Sequence, residues 1–182
     1  MPNQNLKEKK MKKKLLVALI LTFISLLLWG IGKLYIAYNL SHYAGYYVQH
    51  MPRKEGTNPE LVIILTHLDI MERPSTNKLS YDLDGNGAII VDNQLILSYR
   101  TDMFNLYPTE GSENYILDVK NGSFLYHIKN LNFQEKDNSK PKELEAKKLL
   151  NKILPPILEA QPKPKINLQK LYNEKYYKQF NE

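Results

Sequence analysis

The sequence predicts an α+β protein. An N-terminal transmembrane helix is followed by a small antiparallel β-meander of about five strands with packed helices, and then by a C-terminal helical segment. Three observations lead there. Residues 15–32, LLVALILTFISLLLWGIG, form an uncharged run. From Lys78 to Gln134 apolar residues recur with period two between turn signals. Stretches on either side, 59–73, 142–154 and 166–180, place apolar residues at helical spacing.

Eighteen residues at about 1.5 Å each reach roughly 27 Å, close to the apolar thickness of a bilayer. Thr22 and Ser25 are tolerated there, because a helical hydroxyl bonds a carbonyl one turn back. Lysines 7, 9, 10, 12, 13 and 14 against Glu8 make residues 1–14 the densest positive cluster. By the positive-inside rule this basic tail is cytoplasmic, and the chain beyond the span is extracytoplasmic. Residues 33–134 carry eight basic and eleven acidic groups, and residues 135–182 eleven and seven. The overall charge of +6 is therefore an anchoring signal and does not argue for nucleic acid. The competing reading is a cleaved signal peptide, with Gly30 and Gly32 before the cut. Gly-x-Gly is a poor cleavage pair, and apolar residues continue past Lys33 into LYIAYNL, so an uncleaved anchor is expected. The lack of cysteine means that the rest must be stable from its core alone. It also rules out a thiolate metal site and a cysteine nucleophile.

The chain divides into a tail (1–14), a span with an interfacial extension (15–38) and a juxtamembrane helix with its connector (39–58). An α+β domain (59–134) and a linker with C-terminal helices (135–182) complete it. Trp29, Tyr35 and Tyr38 suit the outer interface. Tyr43, Tyr46 and Tyr47 continue at near-helical spacing, so the helix is expected to reach His50 and stop before Pro52. Asn58 as cap, Pro59 in the first turn and Pro74 as terminator predict a helix of about fourteen residues, although Val62, Ile63, Ile64 and Thr66 would also suit a buried strand.

In the meander, KLSYDLD, GAIIVD, QLILSYRTD, NYILDVK and SFLYHIKNLNF read as strands. Asp92-Asn93 and Asn121-Gly122 are tight turns, and YPTEGSEN is a longer loop. Ile89, Val91, Leu95, Leu97, Ile116, Leu125 and Ile128 are expected to point inward. After a linker, KELEAKKLLNKIL is expected to be a helix ended by Pro155-Pro156. QPKPK should be extended, and INLQKLYNEKYYKQF should form a last amphipathic helix.

Candidates for chemistry are few. Asp82-Leu83-Asp84-Gly85-Asn86-Gly87 matches the opening of a calcium loop, but the closing carboxylate is missing and Asp92 falls one place early. It reads first as a polar hairpin turn and second as a low-affinity calcium site at Asp82, Asp84, Asn86 and Asp92. The four histidines lie apart, and no hydrolase elbow, phosphate loop or zinc-protease motif is present. Carboxylate pairs such as Glu110 and Glu113 read as solvated surface. In the last helix Tyr172, Lys175, Tyr176, Tyr177 and Lys178 read as a packed face beside a lysine face, or else as a docking surface for lipid or protein.

The expectation is a single-pass bacterial membrane protein, in contact with the bilayer through residues 15–38 and with a protein partner in the envelope. It uses no cofactor and binds no nucleic acid. Its role would be that of a non-enzymatic interaction or accessory subunit. The alternatives are an anchored inhibitor of an envelope-active toxin or, less favoured, an envelope hydrolase.

Overall fold

A computed structural model of the chain describes residues 3–74, 78–84, 87–100, 102–130 and 132–182, with side chains from Lys9 onward. The chain forms two compact units, divided between Asn39 and Leu40.

Helix α1 runs Asn3–His42. It is long and apolar enough to cross a membrane. Residues 9–29 are exposed on every side. A Leu, Ile or Phe left in water forgoes about 1.5–3 kcal/mol relative to burial, so this surface calls for an apolar medium. The two hydroxyls turn inward as expected. Thr22 donates to the Ala18 carbonyl at 3.0 Å, and Ser25 to that of Leu21 at 2.9 Å. The Lys33 ammonium sits 5.7 Å from the centre of the Trp29 ring, a pairing suited to an interface.

The second unit begins with the last residues of α1. A break at Tyr43 (φ −102°, ψ 19°) precedes the short helix α2, Ala44–Tyr47, and a 3-10 turn, Val48–His50. The chain becomes extended at Met51, before Pro52, so the helical stretch ends where the proline demands.

Helix α3 spans Pro59–Thr66. The Asn58 side chain accepts from the Leu61 amide at 3.1 Å, and Pro59 occupies the first turn. It is a helix, as its end signals predicted, but has eight residues and stops well short of Pro74. Thr66 bonds back to the Val62 carbonyl at 2.6 Å, and the chain then turns, with the Ile70 and Met71 amides donating to the His67 carbonyl. Leu61 to Leu65 are all buried. A helix enclosed on all sides needs no polar face, which is why the β-branched run resembled a strand.

Burial pushes His67 below its ordinary 6.5, and nearby Lys175 adds to this, while the Ile63 carbonyl and Asp69 pull the other way. The unfolded chain therefore takes up the proton first. The contribution of His67 to stability is complete above pH 6.5 and is lost as pH falls from there toward the folded value. Urea titrations should show the second unit weakening through that window, with His67→Gln flattening the slope. An equal slope in the variant would remove His67 as the cause.

The sheet is a six-stranded antiparallel meander in the order β1-β2-β3-β4-β5-β6. Its strands are β1 Leu79–Asp82, β2 Ala88–Val91, β3 Leu95–Arg100, β4 Met103–Pro108, β5 Glu113–Asp118 and β6 Phe124–Lys129. The count exceeds the expected five because β4 follows β3 with no glycine or Asn-Gly between them. The turn residues Asp92 and Asn93 have φ of 52° and 54°, as a two-residue hairpin requires.

Laterally paired residues share a face. Ile89, Leu97, Leu106, Tyr115 and His127 form one buried row, and Phe104 and Leu117 continue that face. Ile116 and Ile128 are buried as expected, but on the opposite face, paired through Tyr126 and Asn114. The middle residues of β4 and β5 are thus buried on both faces. Leu125 is 40% exposed, contrary to expectation. Ile116 pairs with Tyr126 and Leu117 with Phe124, so Leu125 is the extra residue of a bulge and loses the alternation.

Helix α4, Lys140–Glu159, packs against β6 and α3 through Ala146, Leu150, Ile153, Leu154 and Ile157. It runs through Pro155-Pro156, which were expected to end it. The carbonyls these prolines leave free, one turn back, belong to Asn151 and Lys152, which face solvent. Exposure there leaves them open to solvent, while Ile153, Leu154 and Ile157 are buried on the core side. The preceding linker is clipped to β6 by paired backbone bonds between His127 and Asp137, 2.8 and 2.9 Å, covering part of an edge strand.

Helix α5, Gln169–Asn181, is amphipathic as predicted. It is pinned along its length. Gln169 Nε2 donates to the Tyr47 carbonyl at 2.8 Å, Asn181 Nδ2 to that of Pro52 at 3.1 Å, and the Lys54 amide to that of Phe180 at 2.9 Å.

Candidate functional site

Asp82 ends β1 and Asp92 follows β2, on opposite ends of the same hairpin. Asp82 lies beside Ala88, and four residues of strand at about 3.4 Å each separate Ala88 from Asp92. Two carboxylates roughly 14 Å apart along the strand do not meet on one ion at calcium distances of about 2.3–2.6 Å. The Asp82 carboxylate instead accepts from the Asp84 amide at 3.0 Å, closing a local turn. Asn86 lies outside the described residues. Among the described residues no group of three His, Asp or Glu side chains is placed to hold a metal.

The C-terminal candidates separate by burial. Tyr172 is fully buried, Tyr176 half-buried, and Lys175, Tyr177 and Lys178 exposed. Tyr172 stacks on Tyr47 with ring centres 5.3 Å apart and on Tyr176 at 4.7 Å. Tyr172 is therefore core, and burial drives its phenol far above the ordinary range. A partner meeting this helix would find Lys175, Tyr177 and Lys178.

A concavity of the second unit lies on the sheet face opposite Leu97 and Leu106. It is a trough of about 720 Å³ crossing β3, β4 and β5. Ser98 and Asn105 make one row across it, and Tyr107 and Asn114 belong to the next. Arg100 lies at one end, with Thr109, Ser112, Glu113 and Asn130 at the other. Asn105 and Asn114 are 8% and 9% exposed. Asn114 Nδ2 donates to Asn105 Oδ1 at 3.3 Å. That leaves Asn105 Nδ2 and Asn114 Oδ1 buried without a partner in the protein. An unpaired buried polar group costs about 1–3 kcal/mol, and both atoms are closed to a water-sized group from the trough.

Sequence reasoning missed both asparagines. A signal exists, since asparagine is disfavoured in strands and here interrupts apolar runs at Phe104-Asn105-Leu106 and Asn114-Tyr115-Ile116.

Behind one end of the trough lies a charge network. Buried His127 pairs with Glu113, against the Tyr115 ring at 5.0 Å. Lys142 on α4 reaches Glu113 at 3.5 Å and Glu145 at 2.9 Å, and the Tyr115 hydroxyl donates to Glu145 at 2.9 Å. Lys142, followed by the Tyr115 hydroxyl, holds the Glu145 carboxyl below its usual range. Burial, then the bond to Glu145, raises the Tyr115 phenol. The network joins α4 to β5 and β6. His127 does not line the trough. Its pairing with Glu113, fourteen residues away in sequence, comes from strand register and was not legible in the linear sequence.

Comparison with known proteins gives no match to a family model, to a curated protein or to a solved structure, so the site's own geometry carries the functional argument.

Proposed function

We propose that the chain is a membrane-anchored, extracytoplasmic interaction protein, an accessory subunit of a bacterial envelope complex that performs no reaction of its own. The observation that carries this reading is α1, apolar and exposed on every side for some five turns, with a lysine cluster at one flank. The lysines favour a cytoplasmic N-terminus, which leaves the unit from Leu40 onward outside. Support for binding rather than catalysis comes from the charge network, in which Lys142 pairs with Glu113 and Glu145 between the sheet and α4. A second reading, an anchored inhibitor of an envelope-active toxin, draws on the concave trough in the acidic segment 33–134.

Co-purification tests the proposal. The detergent-solubilised protein, tagged at its natural expression level, should retain a stoichiometric envelope protein. A clean monomer under the same conditions would count against it.

A further inference from the structure

The geometry points to a lipid-facing surface on the second unit, in which residues 161–171 rest on anionic phospholipid headgroups. The stretch reads QPKPKINLQKL. It carries Lys163, Lys165 and Lys170, all exposed, and no carboxylate. Beside the lysines two aliphatic side chains stand open, Ile166 at 52% and Leu171 at 40% exposure. Lysines interleaved with open aliphatic groups suit a headgroup layer, where the ammonium groups meet phosphate and the aliphatic carbons reach the acyl boundary. Glu159 and Glu174 flank the stretch and thin its charge without cancelling it.

Its place in the fold selects lipid as the occupant. The second unit begins at Leu40, and Tyr47 follows seven residues later, about 10 Å of helical chain. The basic stretch is fastened to this first segment. The Tyr47 hydroxyl donates to the Ile166 carbonyl at 3.2 Å and accepts from the Leu168 amide at 3.1 Å. Gln169 Nε2 donates to the Tyr47 carbonyl at 2.8 Å, and Gln49 Nε2 to that of Leu158 at 3.1 Å. A Cβ added to Gly45 would run into Gln161, so that contact has no slack. Lys178 belongs to the other end of α5, which is held by Pro52 and Lys120, and stands outside the surface. A tether this short makes lipid contact an intramolecular event, so individually weak contacts suffice. Each lysine near an anionic surface favours contact about fivefold, and three together about a hundredfold. The inference rests on the proposed reading in placing α1 in a bilayer, and goes beyond it in naming what the second unit touches there.

The test uses the full-length protein in lipid nanodiscs, which leave both faces of the bilayer accessible. The chain has no cysteine, so I166C takes a single NBD fluorophore, whose emission brightens and shifts to the blue on leaving water. Ile166 is exposed, so the change leaves the core intact. In discs containing phosphatidylglycerol the label should read as lipid-bound and be quenched by a nitroxide carried on the lipid headgroup. In discs of phosphatidylcholine alone, or at high salt, it should read as water-exposed. K163Q, K165Q and K170Q combined should lower the ratio of docked to free label about a hundredfold in the phosphatidylglycerol discs. All three lysines are exposed, so an unchanged urea melt should accompany that loss. A label in water on phosphatidylglycerol discs would overturn the inference, and is also the reading that an acidic protein as the true occupant would give. Equal quenching in the triple variant, or in phosphatidylcholine alone, would mean that the dye and not the lysines seeks lipid, and would overturn it as well. Incorporation into the discs reports on α1 separately. A water-exposed label in a well-incorporated protein therefore strikes the lipid-facing surface alone, whereas a chain that does not enter the discs overturns both readings.

Discussion

Tyr47→Ala should destabilise the second unit by about 3–5 kcal/mol, the range for removing a fully buried aromatic ring. Tyr47 is enclosed completely, and its ring lies against Tyr172. Its hydroxyl donates to the Ile166 carbonyl at 3.2 Å and accepts from the Leu168 amide at 3.1 Å, tying α2 to the entry of α5. A unit of this size is stable by only about 5–15 kcal/mol, so the variant should lose a large share of its stability and melt at clearly lower urea. Two phenylalanine variants isolate the hydroxyls. Tyr47→Phe strands the Leu168 amide and should cost about 1–2 kcal/mol. Tyr172→Phe removes a buried hydroxyl that has no partner, and should be neutral or stabilising. Urea melts of the three variants in micelles would check the order. A Tyr172→Phe loss as large as that of Tyr47→Phe would contradict it.

Gly122→Ala should cost about 2–3 kcal/mol, combining backbone strain with a steric conflict. Gly122 sits at φ +72°, where a side chain is strained by about 1–2 kcal/mol. An added Cβ would also press on the backbone carbonyl of Asn58. That carbonyl cannot retreat cheaply, because Asn58 caps α3 through its side chain and its amide donates to Asn121 at 2.8 Å. Gly56→Ala is the control. Its φ is +88°, but nothing lies within 4 Å of the added atom, so it should show the strain alone. Equal losses at the two glycines would mean that the β5–β6 turn does not press on α3 as described.

Much of this architecture was legible in the residues. The apolar run, the Asp92-Asn93 turn, the Asn58-Pro59 helix start and the last amphipathic helix depend on local physics, and local physics is written along the chain. Asn121-Gly122 marks the β5–β6 connection, but that connection spans residues 119–123 and is not the tight two-residue turn expected. What escaped depends on tertiary context. Strand β4 has no turn residue to announce it. Pro155-Pro156 are tolerated because the carbonyls they free point to water, a fact about orientation rather than composition. Leu125 left the core because a bulge shifted its phase. Ile116 and Ile128 kept their burial but changed face, since period two predicts alternation and not which side the helices will cover. The same limit hid the trough. Asn105 and Asn114 lie nine residues apart, and only the β4–β5 register sets them together. The tempting acidic loop failed for the converse reason, because a short hairpin carries its two ends apart.

The central claim is that α1 crosses the membrane uncleaved and leaves the unit from Leu40 onward outside. The direct measurement is protease accessibility of a C-terminal epitope in cells with an intact inner membrane, read together with the mass of the mature protein. We expect added protease to destroy the epitope while cytoplasmic markers survive, and the mass to include residues 15–32. An epitope protected until the membrane is broken, or a mature mass lacking the apolar run, would contradict it.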